Sequence, residues 1–215
     1  MNITYDKLTH YGNNIGGYDM CGRYYIDDET SKEIEKILQD LDKKNSSKNY
    51  KTGEISPTDR VPILVAQKDD IIPDLLAWGF PNSKSRGVII NARSETAFER
   101  NMFRESLISR RCIIPANGFY EWNKNKEKIY FTQPNSDIIY MAGIYNVFNE
   151  ENRFVILTTN ANPSIGDVHD RMPLILQREQ LHSWLFDNSQ TQDFLKQVPT
   201  ILERKAEFEQ IQLDL

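Results

Sequence analysis

The sequence predicts a single α+β domain with a β-rich antiparallel core and peripheral helices. Three observations carry this. Short runs rich in β-branched and aromatic residues recur along most of the chain. One segment near the start is strongly amphipathic at helical spacing. Neither internal repeats nor a regular alternation of strands with long helices appears, which disfavours a doubly wound parallel sheet. With 215 residues, 39% of them hydrophobic and 11% aromatic, the chain is long enough to bury one sizeable core.

The elements follow in order. Thr30 and Glu33 form a capping-box pair, and Ile34, Ile37, Leu38 and Leu41 repeat at helical spacing, so a helix is expected from Thr30 to about Lys43. Lys43 to Gly53, rich in Lys, Asn and Ser, reads as a surface loop inside one domain. Strands are expected over Val61–Gln67, Leu75–Phe80, Val88–Ile90, Cys112–Ile114, Gly118–Trp122, Lys128–Phe131, Ile138–Ile144 and Phe154–Thr159. Further helices are expected over Ala97–Arg110 and Gln180–Phe186, and a last strand over Phe208–Leu213.

Composition narrows the function classes. A net charge of −5 argues against a protein that coats nucleic acid over its whole surface, because phosphate binding needs positive charge. The sign reverses locally: Lys84, Arg86, Arg93, Arg100, Arg104, Arg110 and Arg111 face only Glu95, Glu99 and Glu105 within one stretch. That stretch reads either as a basic cleft or as a solvated helix face. Cys21 and Cys112 fit neither a disulfide framework nor a metal-ligand spacing, so no metal and no cofactor is expected, and any cysteine chemistry uses one thiol. Apolar runs are too short for a membrane span, and no secretory signal pattern opens the chain, so a cytoplasmic monomer is expected.

Residues 1–19 lack apolar periodicity, and protein-like sequence begins at Met20-Cys21-Gly22. Gly16-Gly17-Tyr18-Asp19-Met20 can be encoded as GGAGGTTATGACATG, a ribosome-binding sequence about seven bases ahead of an ATG. The leader is therefore expected to be untranslated or removed, with residues 20–215 forming the domain. The alternatives are a true tail or a cleaved propeptide. Loss of Met20 leaves Cys21 with a free α-amine.

Met20-Cys21-Gly22-Arg23-Tyr24, Ser56-Pro57-Thr58, Trp78-Gly79-Phe80, Asn91-Ala92-Arg93-Ser94-Glu95, Arg111 through Trp122, Thr158-Thr159-Asn160-Ala161 and His169-Asp170-Arg171-Met172-Pro173 occur in that order. In this order the chain resembles the SRAP family, abasic-site processing proteins once described as SOS-response-associated peptidases. The resemblance spans Met20 to about Trp184. It implies a single SRAP-type domain with a cleft for single-stranded DNA and a reactive cysteine directly after the initiator Met. The leader is the one departure from the pattern.

An abasic site opens to an aldehyde, which a primary amine attacks to form a Schiff base. The α-amine of a terminal Cys21 has a reference pKa of about 7.7–8.0 against about 10.4 for lysine, so part of it is nucleophilic near neutral pH. Its thiol then closes a five-membered thiazolidine at high effective concentration. An internal Cys-Gly would more simply be a structural thiol. Proton transfers in ring opening need acid/base groups, and Glu121 and His169 are the candidates. Glu121 sits between Tyr120 and Trp122, an apolar setting that favours a protonated carboxyl. Its ordinary alternative is an exposed strand residue, and that of His169 is a structural histidine. By resemblance, His169 assists ring opening and Schiff-base formation, while Asn91 hydrogen-bonds around the amine and the sugar; otherwise Asn91 is a strand-end residue. Arg93 leads the phosphate-binding candidates, followed by Arg23, Arg86 and Arg171. Trp78 is either a platform for a base or a core residue. Cys112 and His182 read as structural, and His10 lies in the leader.

Two other functions remain. A cysteine peptidase, general or only self-processing, would use Cys21 with His169 and an orienting Glu121. A non-catalytic binder of single-stranded DNA would need the arginines and not the cysteine.

Overall fold

The structure, a computed structural model, describes residues 22–44 and 49–206. Strand β1 (Arg23–Ile26) is followed by helix α1 (Lys32–Lys44), which buries the stripe Ile34, Leu38 and Leu41. The helix begins one residue later than its sequence pattern predicts. The cap is Ser31, whose hydroxyl accepts from the Ile34 N–H at 3.4 Å. Thr30 instead donates to Asp27, and Glu33 pairs with Arg178 at 2.6 Å.

Then come β2 (Gly53–Ile55), β3 (Arg60–Gln67), β4 (Asp70–Trp78), β5 (Phe80–Pro81), β6 (Val88–Ile89) and β7 (Asn91–Arg93). After a 3-10 turn over Ser94–Thr96 come α2 (Asn101–Ser109), β8 (Arg111–Ala116), β9 (Gly118–Trp122), β10 (Lys128–Thr132), β11 (Ile139–Phe148) and β12 (Glu151–Asn160). The described chain ends with β13 (Arg171–Pro173), β14 (Ile175–Leu176), α3 (Leu181–Phe186), α4 (Thr191–Lys196) and β15 (Glu203–Ala206).

The expected elements are largely present, with shifted ends. β4 starts at Asp70 rather than Leu75, because Lys68 takes a left-handed φ of 54° and turns the chain back so that Asp70 pairs with Gln67. It stops at Trp78 because Gly79, at φ +109°, bends the chain where an added Cβ would lie 2.6 Å from Val88. The expected helix over Ala97–Arg110 forms only from Asn101, after the 3-10 turn. The expected strand over Phe208–Leu213 lies outside the described residues.

The strands form two larger sheets and one small hairpin. The first sheet has the order β15-β10-β9-β1-β2 and is antiparallel throughout. In the second, β3 pairs with β4, β4 with β12, β12 with β11, β11 with β8, and β8 with β3, so the pairings close into a ring. The expectation of an antiparallel core holds except at β12, which runs parallel to β4 and β7. Closure removes exposed sheet edges from the centre of the molecule. One face of the ring carries Ile63, Leu76, Ile114, Met141, Phe154 and Ile156, all fully buried.

β12 changes partners partway along. Its first part lies between β11 and β4; its second part, from Ile156 to Asn160, lies beside β7 and β13. The second part therefore leaves the ring and carries the segments around Asn91 and His169 with it.

Arg111 is a corrected member of the basic stretch. It is 5% exposed and donates to the carbonyls of Leu107 (2.8 Å), Ile108 (3.3 Å), Leu185 (3.2 Å) and Trp184, closing the C-terminal ends of both α2 and α3. Its cation also lies 5.6 Å from the centre of the Trp184 ring. Replacing Arg111 with Met keeps the bulk but orphans these buried acceptors. The expected cost is about 3 kcal/mol, seen as a drop of about 6–12 °C in a thermal melt.

Candidate functional site

The described chain enters the fold at Gly22, and β1 runs antiparallel to β9 with Arg23 opposite Tyr120 and Tyr24 opposite Phe119. Glu121 is the next residue along β9 and is 1% exposed. It shares the inward face of that strand with Phe119, since side chains two apart point the same way. Asn117 and Gly118 hold this junction. The Asn117 backbone N–H donates to the Tyr25 carbonyl at 2.8 Å, and its side-chain oxygen accepts from the Asp27 N–H at 2.6 Å. Gly118 has no room for a Cβ, which would lie 2.5 Å from the Phe131 carbonyl oxygen and the Tyr130 ring. Two letters of the Asn-Gly-Phe-Tyr-Glu-Trp motif are thus explained by packing that sets the position of Glu121.

Tyr24 links β1 to the second sheet. Its ring lies 5.1 Å from that of Trp78, which stacks on Phe154 at 6.3 Å and donates its indole N–H to the Ile90 carbonyl at 3.1 Å. A continuous set of contacts therefore runs from the start of β1 to the residue before Asn91. This corrects the expectation for Trp78: the ring is fully buried, and it braces Asn91 rather than offering a face to a base.

On β7, Asn91 is half-buried and Arg93 is exposed. The register sets Asn91 beside Ile156 and Arg93 beside Thr158. Arg93 is exposed, and its charge adds to that of Arg171 in lowering the pKa of the neighbouring Glu95 carboxyl. Arg86 lies exposed in the loop between β5 and β6. Arg23 donates to the Gly22 carbonyl at 2.7 Å and lies 3.4 Å from Glu54, with 37% of its side chain exposed.

His169 lies in the turn between β12 and β13, with its side chain 11% exposed. Its Nδ1 accepts from the Arg171 backbone N–H at 3.0 Å and lies equally close, 3.0 Å, to an Asp170 carboxylate oxygen. Both cannot be hydrogen bonds to one neutral ring. The backbone N–H has a fixed direction and can only donate, so Nδ1 carries the lone pair and Nε2 the proton. In that tautomer the Asp170 carboxylate, 85% exposed, is left to solvent.

Arg171 is the second correction among the expected DNA contacts. It is 6% exposed, and its guanidinium pairs with both Glu95 oxygens at 2.6 and 2.8 Å while donating to the Asn160 side chain (2.6 Å) and the Thr158 carbonyl (2.8 Å). The hydrogen-bonded Arg171 holds the Glu95 carboxyl below the usual carboxylate range. Sequence reasoning missed Glu95 as a site residue, although a carboxylate amid arginines in Asn-Ala-Arg-Ser-Glu was a usable signal.

Cys21 lies outside the described residues. Cys112 is fully buried beside Gly143, and burial pushes its thiol well above the ordinary range, so it stays protonated and inert. A cavity of about 580 Å³ opens behind Glu95, between Phe98, Asn160, Leu195 and Val198. Glu95, Glu99 and Lys196 border it. Among the described residues, no group of three or more His, Cys, Asp or Glu side chains could hold a metal ion, and no helix is long and apolar enough to cross a membrane.

Comparison with known proteins identifies the family. The profile of the family described as SOS response associated peptidase (SRAP) matches residues 20–214. The abasic site processing protein YoqW of Bacillus subtilis (strain 168) is 33% identical over 193 residues, covering 82% of this chain and 85% of the relative. The abasic site processing protein YedK of Escherichia coli (strain K12) is 27% identical over 176 residues, covering 77% and 79%. A solved Bacteroides thetaiotaomicron protein superposes with a TM-score of 0.70 at 25% identity, over 86% of this chain and 91% of that one. On the sequence match, the coverage and the shared fold, this chain belongs to the SRAP family.

Proposed function

We propose that this protein captures abasic sites in single-stranded DNA as a covalent adduct on Cys21, acting as a cytoplasmic monomer after its leader is lost. The observation that carries this is the entrance of the chain: β1 begins two residues after Cys21, on the strand beside buried Glu121, and Tyr24 is braced through Trp78 to the Asn91 segment.

The chemistry follows from the groups gathered there. The Cys21 amine adds to the sugar aldehyde, and water leaves as the imine forms. The thiol then adds across the C=N bond: sulfur bonds to carbon, and its proton passes to nitrogen. The product weighs the sum of protein and DNA less one water. Glu121 exchanges protons with the sugar oxygen and the nitrogen, Asn91 positions the amine, and His169 presents its Nε2–H as a donor to the oxygen. Arg93, with Arg86 and Arg23, meets the backbone phosphates.

The His169 tautomer weighs against the peptidase alternative. A histidine base must offer a lone pair to the thiol, and in the neutral ring that lone pair is occupied by the Arg171 N–H.

The direct test is to incubate protein beginning at Cys21 with single-stranded DNA carrying one abasic site. The expected result is a heat-stable adduct that maps to Cys21 at the mass given above. An adduct on another residue, or none, would overturn the proposal. Arg93→Gln tests the phosphate role: the slope of log affinity against log salt should fall by about one, with weakening similar across DNA sequences. An unchanged slope would remove Arg93 from the interface.

A further inference from the structure

We infer that Glu95 and Arg171 form a clamp that positions His169, and that Arg171 is not itself a DNA contact. The functional consequence rests on the proposed role of His169 in abasic capture; the structural part stands apart from it.

Arg171 acts through its two halves. Its backbone N–H occupies His169 Nδ1 at 3.0 Å, which selects the tautomer with the proton on Nε2. Its side chain is fixed by two bonds to Glu95, one to the Thr158 carbonyl and one to the Asn160 side chain. The clamp thus ties the His169 turn to the last part of β12 and to the turn that follows Arg93. The turn has backbone restraints of its own: the Ala161 N–H donates to the Asp170 carbonyl at 2.9 Å, and the Val168 and His169 N–H groups donate to the Ile165 carbonyl at 2.7 and 3.0 Å. A planar guanidinium whose two terminal nitrogens bond both oxygens of one carboxylate and neighbouring acceptors, and whose Nε–H is buried, has little left for a phosphate. Thr158 and Arg93 are paired residues, so the clamp also sets where Arg93 stands relative to His169. Glu95 is accordingly a positioning residue: it touches neither amine nor sugar, and it holds what holds the histidine.

The test compares wild type, Glu95→Gln, Glu95→Ala and Arg171→Gln, each checked for folding by a thermal melt. The first readout needs no DNA: the imidazole nitrogen shifts of ¹⁵N-labelled protein, with His169 assigned by its loss in His169→Gln. Wild type should show Nδ1 unprotonated and Nε2 protonated, and Glu95→Ala should show shifts averaged between the two tautomers. The second readout is the rate of adduct formation, expected to fall about tenfold in Glu95→Ala and less in Glu95→Gln, which keeps its shape and one acceptor. In a His169→Gln background, Glu95→Ala should add little. The third readout is the salt dependence of binding to intact single-stranded DNA, expected to be unchanged in Arg171→Gln. A Glu95→Ala protein with the wild-type tautomer would overturn the clamp, as would a slope lowered by about one in Arg171→Gln. If wild type forms no adduct at all, abasic capture fails as the function, while the tautomer readout still decides the clamp.

Discussion

Cys21→Ser should abolish heat-stable adduct formation on abasic single-stranded DNA, a fall of at least about 100-fold in yield. The serine amine still reaches the aldehyde, so a reversible imine forms and should be trapped only by a reductant such as borohydride. Its hydroxyl is a far weaker nucleophile than a thiol, so the ring that locks the product does not accumulate. Acetylating the amine, or leaving the leader attached, should abolish even the trappable imine. These two outcomes separate the roles of nitrogen and sulfur. They also separate capture from peptide hydrolysis, which needs the thiol alone. Binding to intact DNA should stay within about twofold in each case, because phosphate contacts dominate that affinity. Retention of the stable adduct with the amine blocked is the result the mechanism cannot accommodate.

Glu121→Gln should slow adduct formation by about 100- to 1,000-fold, the usual worth of a positioned acid/base group. The substitution keeps the shape of a residue that is 1% exposed on the inward face of β9, so packing is preserved while proton exchange is lost. Rapid-quench time courses with a single-stranded abasic oligonucleotide would measure it. The loss should appear in the rate of capture and not in the affinity for intact DNA. A rate within about threefold of wild type would remove Glu121 from the chemistry.

Much of the frame was legible in the sequence because it depends on local pattern. The α1 stripe of Ile34, Leu38 and Leu41, and β9 from Gly118 to Trp122, follow from hydrophobic spacing and turn chemistry. The start of α1 moved by one residue because Thr30 had a competing acceptor in Asp27. Early β4 was missed because Pro73 argues against a strand; here it pairs with Leu64, and β12 bonds β4 only further on, at Ala77 and Trp78. β13, β14 and α4 are too short for periodicity to register. The ring of strands depends on β12 running parallel to β4, a pairing set by residues about 75 positions apart, which no local pattern encodes.

Charge was the least legible property. Arg93, Arg111 and Arg171 look alike as letters: Arg93 and Arg171 are expected to meet DNA, and Arg111 lies with Arg93 in the basic stretch. Only Arg93 is exposed; Arg111 meets the ends of two helices, and Arg171 a carboxylate 76 residues away. Trp78 teaches the same lesson for aromatics. A tryptophan that supports a site from behind and one that touches the ligand have the same sequence signal, and only burial tells them apart.

The change of neighbours along β12 has a dynamic consequence. Its early residues belong to a closed circuit whose opening requires breaking the heart of the molecule, whereas Thr158 to Asn160 are flanked by strands of three residues each. Opening of the histidine turn therefore requires breaking the Arg171–Glu95 clamp and these short pairings, and can do so while the barrel stays shut. A bulky damaged strand would then be admitted by a local fluctuation, and the protein would survive permanent attachment to it without unfolding.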